Sequence, residues 1–383
     1  MTIRVLHFGK FAFERAGGIE RHVEVLAHAQ AAQGADVTIL AYTLDANAKP
    51  RRVDGVQIEP IFVRVRFSSQ PLALGLILRA RQLAKEKPFD VVHQHWPDPF
   101  THITASLMPG RPALVVSWHS DIVKQRVLGP VYRTLAPLFL RKPDAVIGAT
   151  KTHMASAQID IFADTAHRHV IPYGIDPVPF ELTPAISESV AALRARYTGR
   201  PIVFALGRHV YYKGFDVLIR AMARVPAVLL LGGSGPLTPD LKQLAERLAA
   251  ESAGQVVFVD SIPEDQLPVY YHACDIFCLP SVATTEAFGI VQTEAMLCGK
   301  PIVNTNLGTG VNEVAHQGVC ALTVPPGDDG ALSQALNALI ESPEYAKSLG
   351  EAGRKRALEQ YNVEQMAADT LALYASLTSN RGC

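Results

Sequence analysis

The 383-residue chain carries 36 Lys+Arg and 36 Asp+Glu, so its formal charge is zero and it lacks the basic excess of a nucleic-acid binder. With 48% hydrophobic and 19% charged residues it is not a disordered chain, and its length suits two domains of roughly 150 residues each. No apolar run approaches the roughly 20 residues of a membrane helix; Leu72 to Leu78 is the longest candidate. Ile3 to Phe8 reads as a strand rather than a signal peptide, so a cytoplasmic chain, at most peripheral to the inner face of the plasma membrane, is expected.

In chain order, short apolar strands alternate with helical patterns. Strands are predicted at Arg4–Phe8, Asp36–Ala41, Val91–His93, Ala113–Trp118, Ala145–Ala149 and His169–Pro172. They resume at Ile202–Leu206, Ala227–Gly232, Val256–Asp260, Asp275–Pro280, Pro301–Thr305 and Ala321–Val324. Helices are predicted at Gly18–Gln33, Leu72–Lys85, Val131–Arg141, Asp216–Ala223, Pro239–Ala250 and Ile290–Cys298, and the last stretch is helical on both sides of Pro343. Fully apolar strands between helices indicate α/β architecture with parallel sheets covered on both faces. Two such series indicate two Rossmann-like, doubly wound domains, separated by a Pro-rich break between Pro172 and Pro201. Expected boundaries are 1–178 and 179–362, with 363–383 a terminal helix crossing back to the first domain. A site is expected in a cleft that the two domains face, at the strands' carboxyl ends.

Chemistry-bearing residues cluster at those ends. Glu286 and Glu294 flank a Phe-Gly turn (Phe288-Gly289), and Glu294 lies in a helix that starts directly after a strand. Free N–H groups of such a first turn (Ile290, Val291) attract phosphate, and carboxylates grip sugar hydroxyls. Arg208 and Lys213 flank the loop after Ile202–Leu206, where a guanidinium fork and an ammonium suit a diphosphate. Gly232-Gly233-Ser234-Gly235 and Leu307-Gly308-Thr309-Gly310 are further small-residue loops. In the first half, Gly17-Gly18 precede a helix and allow close approach of a ligand. That loop is not G-x-G-x-x-G, and no acid closes the second strand, so a nicotinamide cofactor is not expected. His119 ends a strand with Asp121 two residues on. His93 and His95 alternate, so one is expected to face the core and the other the cleft. Without a nearby Cys or a third ligand they make a weak metal case, and no metal or cofactor is expected.

Residues 1–180 hold 21 Lys+Arg against 15 Asp+Glu, and the remainder has the opposite balance. The stretches Arg64/Arg66/Arg79/Arg81/Lys85/Lys87 and Lys124/Arg126/Arg133/Arg141/Lys142 would suit an anionic lipid surface or equally be solvated helix faces. The five cysteines lack C-x-x-C spacing and suit free thiols in a reducing compartment.

Taken together, these residues resemble the retaining glycosyltransferases of the GT-B fold, family 4. The resemblance spans nearly the whole chain. It includes Gly17-Gly18-Ile19-Glu20, His119, Ile171-Pro172-Tyr173-Gly174-Ile175-Asp176, Gly207-Arg208, Lys213-Gly214, the Glu286/Glu294 pair and Val324-Pro325-Pro326-Gly327-Asp328. It implies that Glu294 binds the ribose and that Arg208 and Lys213 hold the diphosphate. Glu286 and the backbone of Phe288, Gly289, Ile290 and Val291 would hold the donor sugar, with His119 near the reacting carbon. Gly17 and Gly18 would approach the phosphate or acceptor, and Ser261 and Ile262 would meet the base. It further implies metal-independent transfer with retention, from a nucleotide sugar to a glycan or lipid-linked acceptor. Tyr173 departs from the family's commoner Asn, and Leu307 to Gly310 from a commoner Gly-Gly form. Trp118 to Gln125 and Thr309-Gly310-Val311 are similar to bacterial mannosyl- or rhamnosyltransferases of surface-polysaccharide assembly, which favours GDP-mannose as donor. A nucleotide-sugar 2-epimerase and a non-catalytic nucleotide-sugar binding protein are the competing readings.

Overall fold

Both series of apolar strands form parallel sheets in the computed structural model, which describes residues 2–11, 18–67, 70–72, 74–119, 141–155, 159–161, 164, 167–197 and 199–379. The first unit comprises Met1–Gly174 with Asn362–Cys383, and the second Ile175–Tyr361. The predicted helix at Val131–Arg141 lies, apart from Arg141, outside the described residues.

In the first unit the strands are β1 (Arg4–Phe8), β2 (Asp36–Thr43), β3 (Arg51–Val53), β4 (Val56–Phe62), a small separate hairpin of β5 (Val65–Phe67) and β6 (Gln70–Leu72), then β7 (Val91–Trp96), β8 (Ala113–Trp118), β9 (Ala145–Gly148) and β10 (Arg168–Val170). The main sheet runs β10-β9-β8-β7-β1-β2-β4-β3, parallel except for the β3–β4 hairpin. Strand β4 is one that the sequence reading missed. Pro60 argues against a strand flanked on both sides, but β3 pairs only as far as Ile58, so Pro60 lies past its end and forfeits no bond there.

Residues two apart on a strand share a face. Leu6, Phe8, Leu40, Tyr42, Val92, Leu114 and Val116 therefore build one core layer. Val5, Val91, Ala113, Val115, Ala145 and Ile147 build the opposite one, with Leu26, Val363, Met366, Leu373 and Tyr374 packed on them. The helix Val363–Ser379 buries Val363, Met366, Ala367, Thr370, Leu373 and Tyr374, the helical spacing of one apolar stripe. Its start is tied down at Gly174, where an added Cβ would lie 2.4 Å from the Cα of Val363.

The same two-residue period corrects one expectation. His93 and His95 do not divide between core and ligand side. With His7 they lie on the second face, above Val5 and Val91, and all three are fully buried. Their burial is satisfied by a polar chain. His7 Nε2 meets Gln30 Oε1 at 2.8 Å, His7 Nδ1 meets His95 Nε2 at 3.1 Å, and His95 Nδ1 meets His119 Nε2 at 3.0 Å. His119 Nδ1 meets the Tyr173 hydroxyl at 2.5 Å. His93 bridges Ser117 (2.8 Å) and the Tyr374 hydroxyl (2.5 Å), which is also 3.2 Å from Gln30 Nε2. Each imidazole is held neutral by burial. His7 is pushed down to about 4 and His22 to about 3, and His93, His95 and His119 fall well below the usual histidine range.

The second unit's strands are β11 (Ile202–Leu206), β12 (Val228–Gly232), β13 (Gln255–Val259), β14 (Ile276–Leu279), β15 (Ile302–Thr305) and β16 (Ala321–Val324). The sheet order β13-β12-β11-β14-β15-β16, all parallel, reverses direction of growth between β11 and β14. Such a reversal splays the loops that follow the two strands and leaves a crevice at their carboxyl ends. The helix Pro184–Ala195 belongs to this unit, where Arg194 pairs with Asp275 at 3.1 Å and donates to the carbonyl of Ala273.

The histidine chain makes the first unit acid-sensitive. Its folded-state pKa values lie below the unfolded value near 6.5, so the unfolded chain takes up protons first as pH falls. Stability is full above about pH 6.5 and declines through pH 4, each imidazole giving up about 1.4 kcal/mol per pH unit across that window. Both tryptophans, Trp96 and Trp118, stack in this unit at 5.0 Å and report on it alone. Urea midpoints followed by tryptophan fluorescence should fall steadily from pH 7 to pH 5; a flat profile over that window contradicts the account.

Candidate active site

The second unit brings Lys213 and Glu286 together at the reversal point, with Arg208 in the same loop as Lys213. Strand β11 runs into Gly207, whose backbone lies against the next loop: a Cβ on Gly233 would sit 2.2 Å from the Gly207 carbonyl, and one on Gly235 2.5 Å from that of His209. His209 N donates to the Ser234 carbonyl at 3.0 Å, so the two glycine loops run as one layer. Beyond it, the turn Tyr211–Lys213 ends on Gly214, at φ +64°, and an added Cβ there would lie 2.1 Å from the Pro280 carbonyl. The Lys-Gly sequence is thus a packing requirement: glycine brings the loop after β11 onto the loop after β14, where Val282 N also donates to the Tyr212 carbonyl at 2.8 Å.

That contact delivers Lys213 to Glu286. The Nζ–Oε2 distance is 2.6 Å and both side chains are buried. Ser281 Oγ donates to the same carboxylate oxygen at 3.1 Å, and Thr309 Oγ1 donates to the Glu286 carbonyl at 2.8 Å. The loops after β11, β14 and β15 therefore converge on one acid. Arg208 is exposed beside this pair, near enough to act on the Tyr212 hydroxyl together with Lys213. Burial of that hydroxyl raises its pKa, and the two cations oppose the rise.

The helix Ile290–Leu297 starts from Gly289, at φ +73°, which offers its first turn no side-chain acceptor. Phe288 is buried edge-on against Tyr361 at 5.7 Å. Glu294 is buried within the helix and accepts from the Tyr271 hydroxyl at 2.6 Å. Ser261, exposed, and Ile262, half-buried, follow β13, and the Ile262 side chain packs over Gly232 at the end of β12. Arg208, Lys213, Ser261, Ile262, Glu286, Phe288 to Val291 and Glu294 thus all follow or adjoin strand ends on one edge of this sheet. Ser281, Thr309 and Tyr271 were missed by sequence reading. Thr309 lay in a loop already noted for small residues, while nothing local marks Tyr271 as the partner of Glu294.

In the first unit, His119 is buried, and both its ring nitrogens are engaged, by His95 and Tyr173. A ligand reaching its nitrogens must displace one of these. His22, absent from the sequence reading, sets its ring edge-on to His119 at 5.0 Å and tilted against Tyr173 at 4.4 Å. It shares the buried stripe of the helix Gly18–Ala32 with Leu26 and Gln30, and two polar residues on a buried stripe were the available signal. Gly18 is exposed at that helix start, and Gly17 lies outside the described residues. Several cations of the basic stretches are already paired: Arg79 with Glu59, Lys87 with Asp36 and Arg141 with Asp144. Lys124, Arg126 and Arg133 lie outside the described residues. Among the described residues no helix is long and apolar enough to cross a membrane.

Comparison with known proteins agrees with this layout. Residues 16–178 match the family described as "Glycosyltransferase Family 4", and residues 191–356 match "Glycosyl transferases group 1". The chain is 26% identical to the O-antigen chain mannosyltransferase C of Escherichia coli, over 99% of this chain and 100% of that one. It is 33% identical to a GDP-mannose-dependent alpha-(1-6)-phosphatidylinositol monomannoside mannosyltransferase of Mycolicibacterium smegmatis, over 66% of this chain and 67% of that one. In fold it is similar to a sucrose-phosphate synthase from Thermosynechococcus elongatus, with a TM-score of 0.79 at 22% identity over 99% and 100% of the two chains. Two parallel Rossmann-like sheets, charges gathered at a strand reversal, and these matches along both halves place the chain in glycosyltransferase family 4, with the GT-B fold.

Proposed function

We propose that this glycosyltransferase moves mannose from GDP-mannose to a lipid-linked saccharide in polysaccharide assembly, with retention at the anomeric carbon and without a metal in the transfer step. The observation that carries the reading is the buried Lys213–Glu286 pair at the sheet's reversal point, with Arg208 exposed beside it. A donor diphosphate gives Lys213 a second anionic partner and Arg208 a fork-shaped one. Glu286, held by Ser281, then accepts from hydroxyls of the sugar. As the glycosidic C–O bond breaks, negative charge gathers on the departing phosphate oxygen. Lys213, Arg208 and the amide N–H groups of the Ile290–Leu297 helix start stabilise it there. The acceptor hydroxyl attacks from the same face, and its proton passes to that phosphate oxygen. Glu294 takes the ribose. The mannosyl donor and the lipid-linked acceptor draw support from the names of the two relatives, and Arg64, Arg81 and Lys85 are exposed, as contact with an anionic acceptor requires.

Incubation with GDP-mannose should release GDP only when a lipid-linked saccharide is supplied, give a product of unchanged anomeric configuration by NMR, and persist in EDTA. A 2-epimer formed without acceptor would overturn the reading. In a thermal-shift series of GDP, UDP, dTDP and ADP, GDP should raise the melting temperature most.

Arg208→Ala separates chemistry from stability. The exposed side chain should leave the urea midpoint unchanged while kcat/KM falls by about 100- to 1,000-fold, the usual loss of one transition-state donor. Lys213→Ala should lose at least as much activity and also about 3–5 kcal/mol of stability, because Glu286 stays buried without its cation.

Glu294 is tested against its partner. Tyr271→Phe should cost about 1 kcal/mol and leave turnover within a few-fold, whereas Glu294→Ala should abolish it. Equal activity losses in both variants would make Glu294 a packing residue.

A further inference from the structure

Of His7, His22, His93, His95 and His119, His22 alone has no place in the hydrogen-bonded chain among the described residues. It is 6% exposed, and neither Nδ1 nor Nε2 has a hydrogen-bond partner among the described residues. A buried polar group left in that state costs about 1–3 kcal/mol, so an unpaired imidazole calls for a ligand. The nitrogens of His22, His95 and His119 come within 4.8 Å of one another. We propose that these three side chains form a binding site for one first-row transition ion of the Zn2+ class, separate from the diphosphate-binding residues of the second unit.

The geometry and the hydrogen-bond pattern both suit it. A tetrahedral ion with Zn–N bonds of about 2.0–2.1 Å holds its ligand nitrogens roughly 3.4 Å apart. His95 Nδ1 and His119 Nε2 are 3.0 Å apart and need only a small opening to admit the ion. A ligating imidazole normally donates its other N–H to a fixed acceptor. His95 Nε2 lies 3.1 Å from His7 Nδ1, and His7 Nε2 lies 2.8 Å from Gln30 Oε1, so both donors are satisfied in sequence. His119 Nδ1 lies 2.5 Å from the Tyr173 hydroxyl. Loading therefore needs no net proton release: with His95 protonated on Nε2, the His119 proton moves from Nε2 to Nδ1. His22 supplies the third nitrogen, and a water or other small ligand completes four-coordination. Three imidazoles without a carboxylate select Zn2+, Co2+, Ni2+ or Cu2+ over Mg2+ and Ca2+. The ion would also fix the ring of His119 by occupying its Nε2.

The test uses the untagged full-length chain, freed of metal by a chelator and titrated with Co2+. One Co2+ per chain is expected, with the visible absorption of a four-coordinate centre, displaced by Zn2+ and unaffected by Mg2+. His22→Leu keeps the buried volume and removes no hydrogen bond, so it should fold and lose the absorption band. His119→Gln should lose it too. Absence of the band in the native chain, or an unchanged band in folded His22→Leu, overturns the proposal. Neither result touches the transferase reading, which is measured in EDTA.

Discussion

The second unit is organised around one ion pair. Lys213 and Glu286 belong to loops that follow β11 and β14, the two strands between which the sheet changes its direction of growth. Parallel strands put every carboxyl end on one edge, but adjacency at that edge does not by itself bring side chains into contact. The contact here depends on glycine. Gly214 admits the Pro280 carbonyl, Gly233 admits that of Gly207, and Gly235 that of His209, so loops approach to distances no side chain would permit. The pair, once formed, holds a cation and an anion ready inside the protein. Under the proposed reading, a charged ligand meets preoriented groups and need not order them, which is the condition for electrostatic stabilisation of a transition state.

The first unit solves a different problem. Its sheet buries the polar side chains of His7, His93, His95, Ser117 and His119 on a face built mostly of valine, isoleucine and alanine. Burial of so many imidazoles is tolerated because nearly all are consecutive members of hydrogen-bonded chains whose far ends are Gln30, Tyr173 and Tyr374. Tyr374 comes from the helix Val363–Ser379, so this polar layer also fixes how that helix seats on the sheet.

Much of this was legible in the sequence. Strands buried on both faces are unbroken apolar runs, and twelve of them were placed within a few residues, from Arg4–Phe8 to Ala321–Val324. The glutamates, Arg208 and Lys213 were legible because strand-end loops carry charge for few structural reasons. What escaped was pairwise and long-range. Nothing near Glu294 announces Tyr271, and nothing near Lys213 announces that Glu286 is its partner. Strand β4 escaped because Pro60 masked it, and the orientation of His93 and His95 was misjudged although the two-residue period places both on one face. His22 escaped because a helical histidine near apolar neighbours looks ordinary until the rings of His95, His119 and Tyr173 are seen around it.

The chain leaves the first unit at Gly174 and re-enters at Asn362, and these positions touch. The second unit is thus an insertion into the chain of the first. During synthesis its six-stranded sheet has every strand available before the ribosome reaches the helix Val363–Ser379. The first unit must wait, with the His93 and Val91 face of its sheet covered only in part by the helix Gly18–Ala32, until that last helix emerges. The vectorial order of folding therefore runs against the order of sequence: the later unit can finish first, and the earlier one closes last.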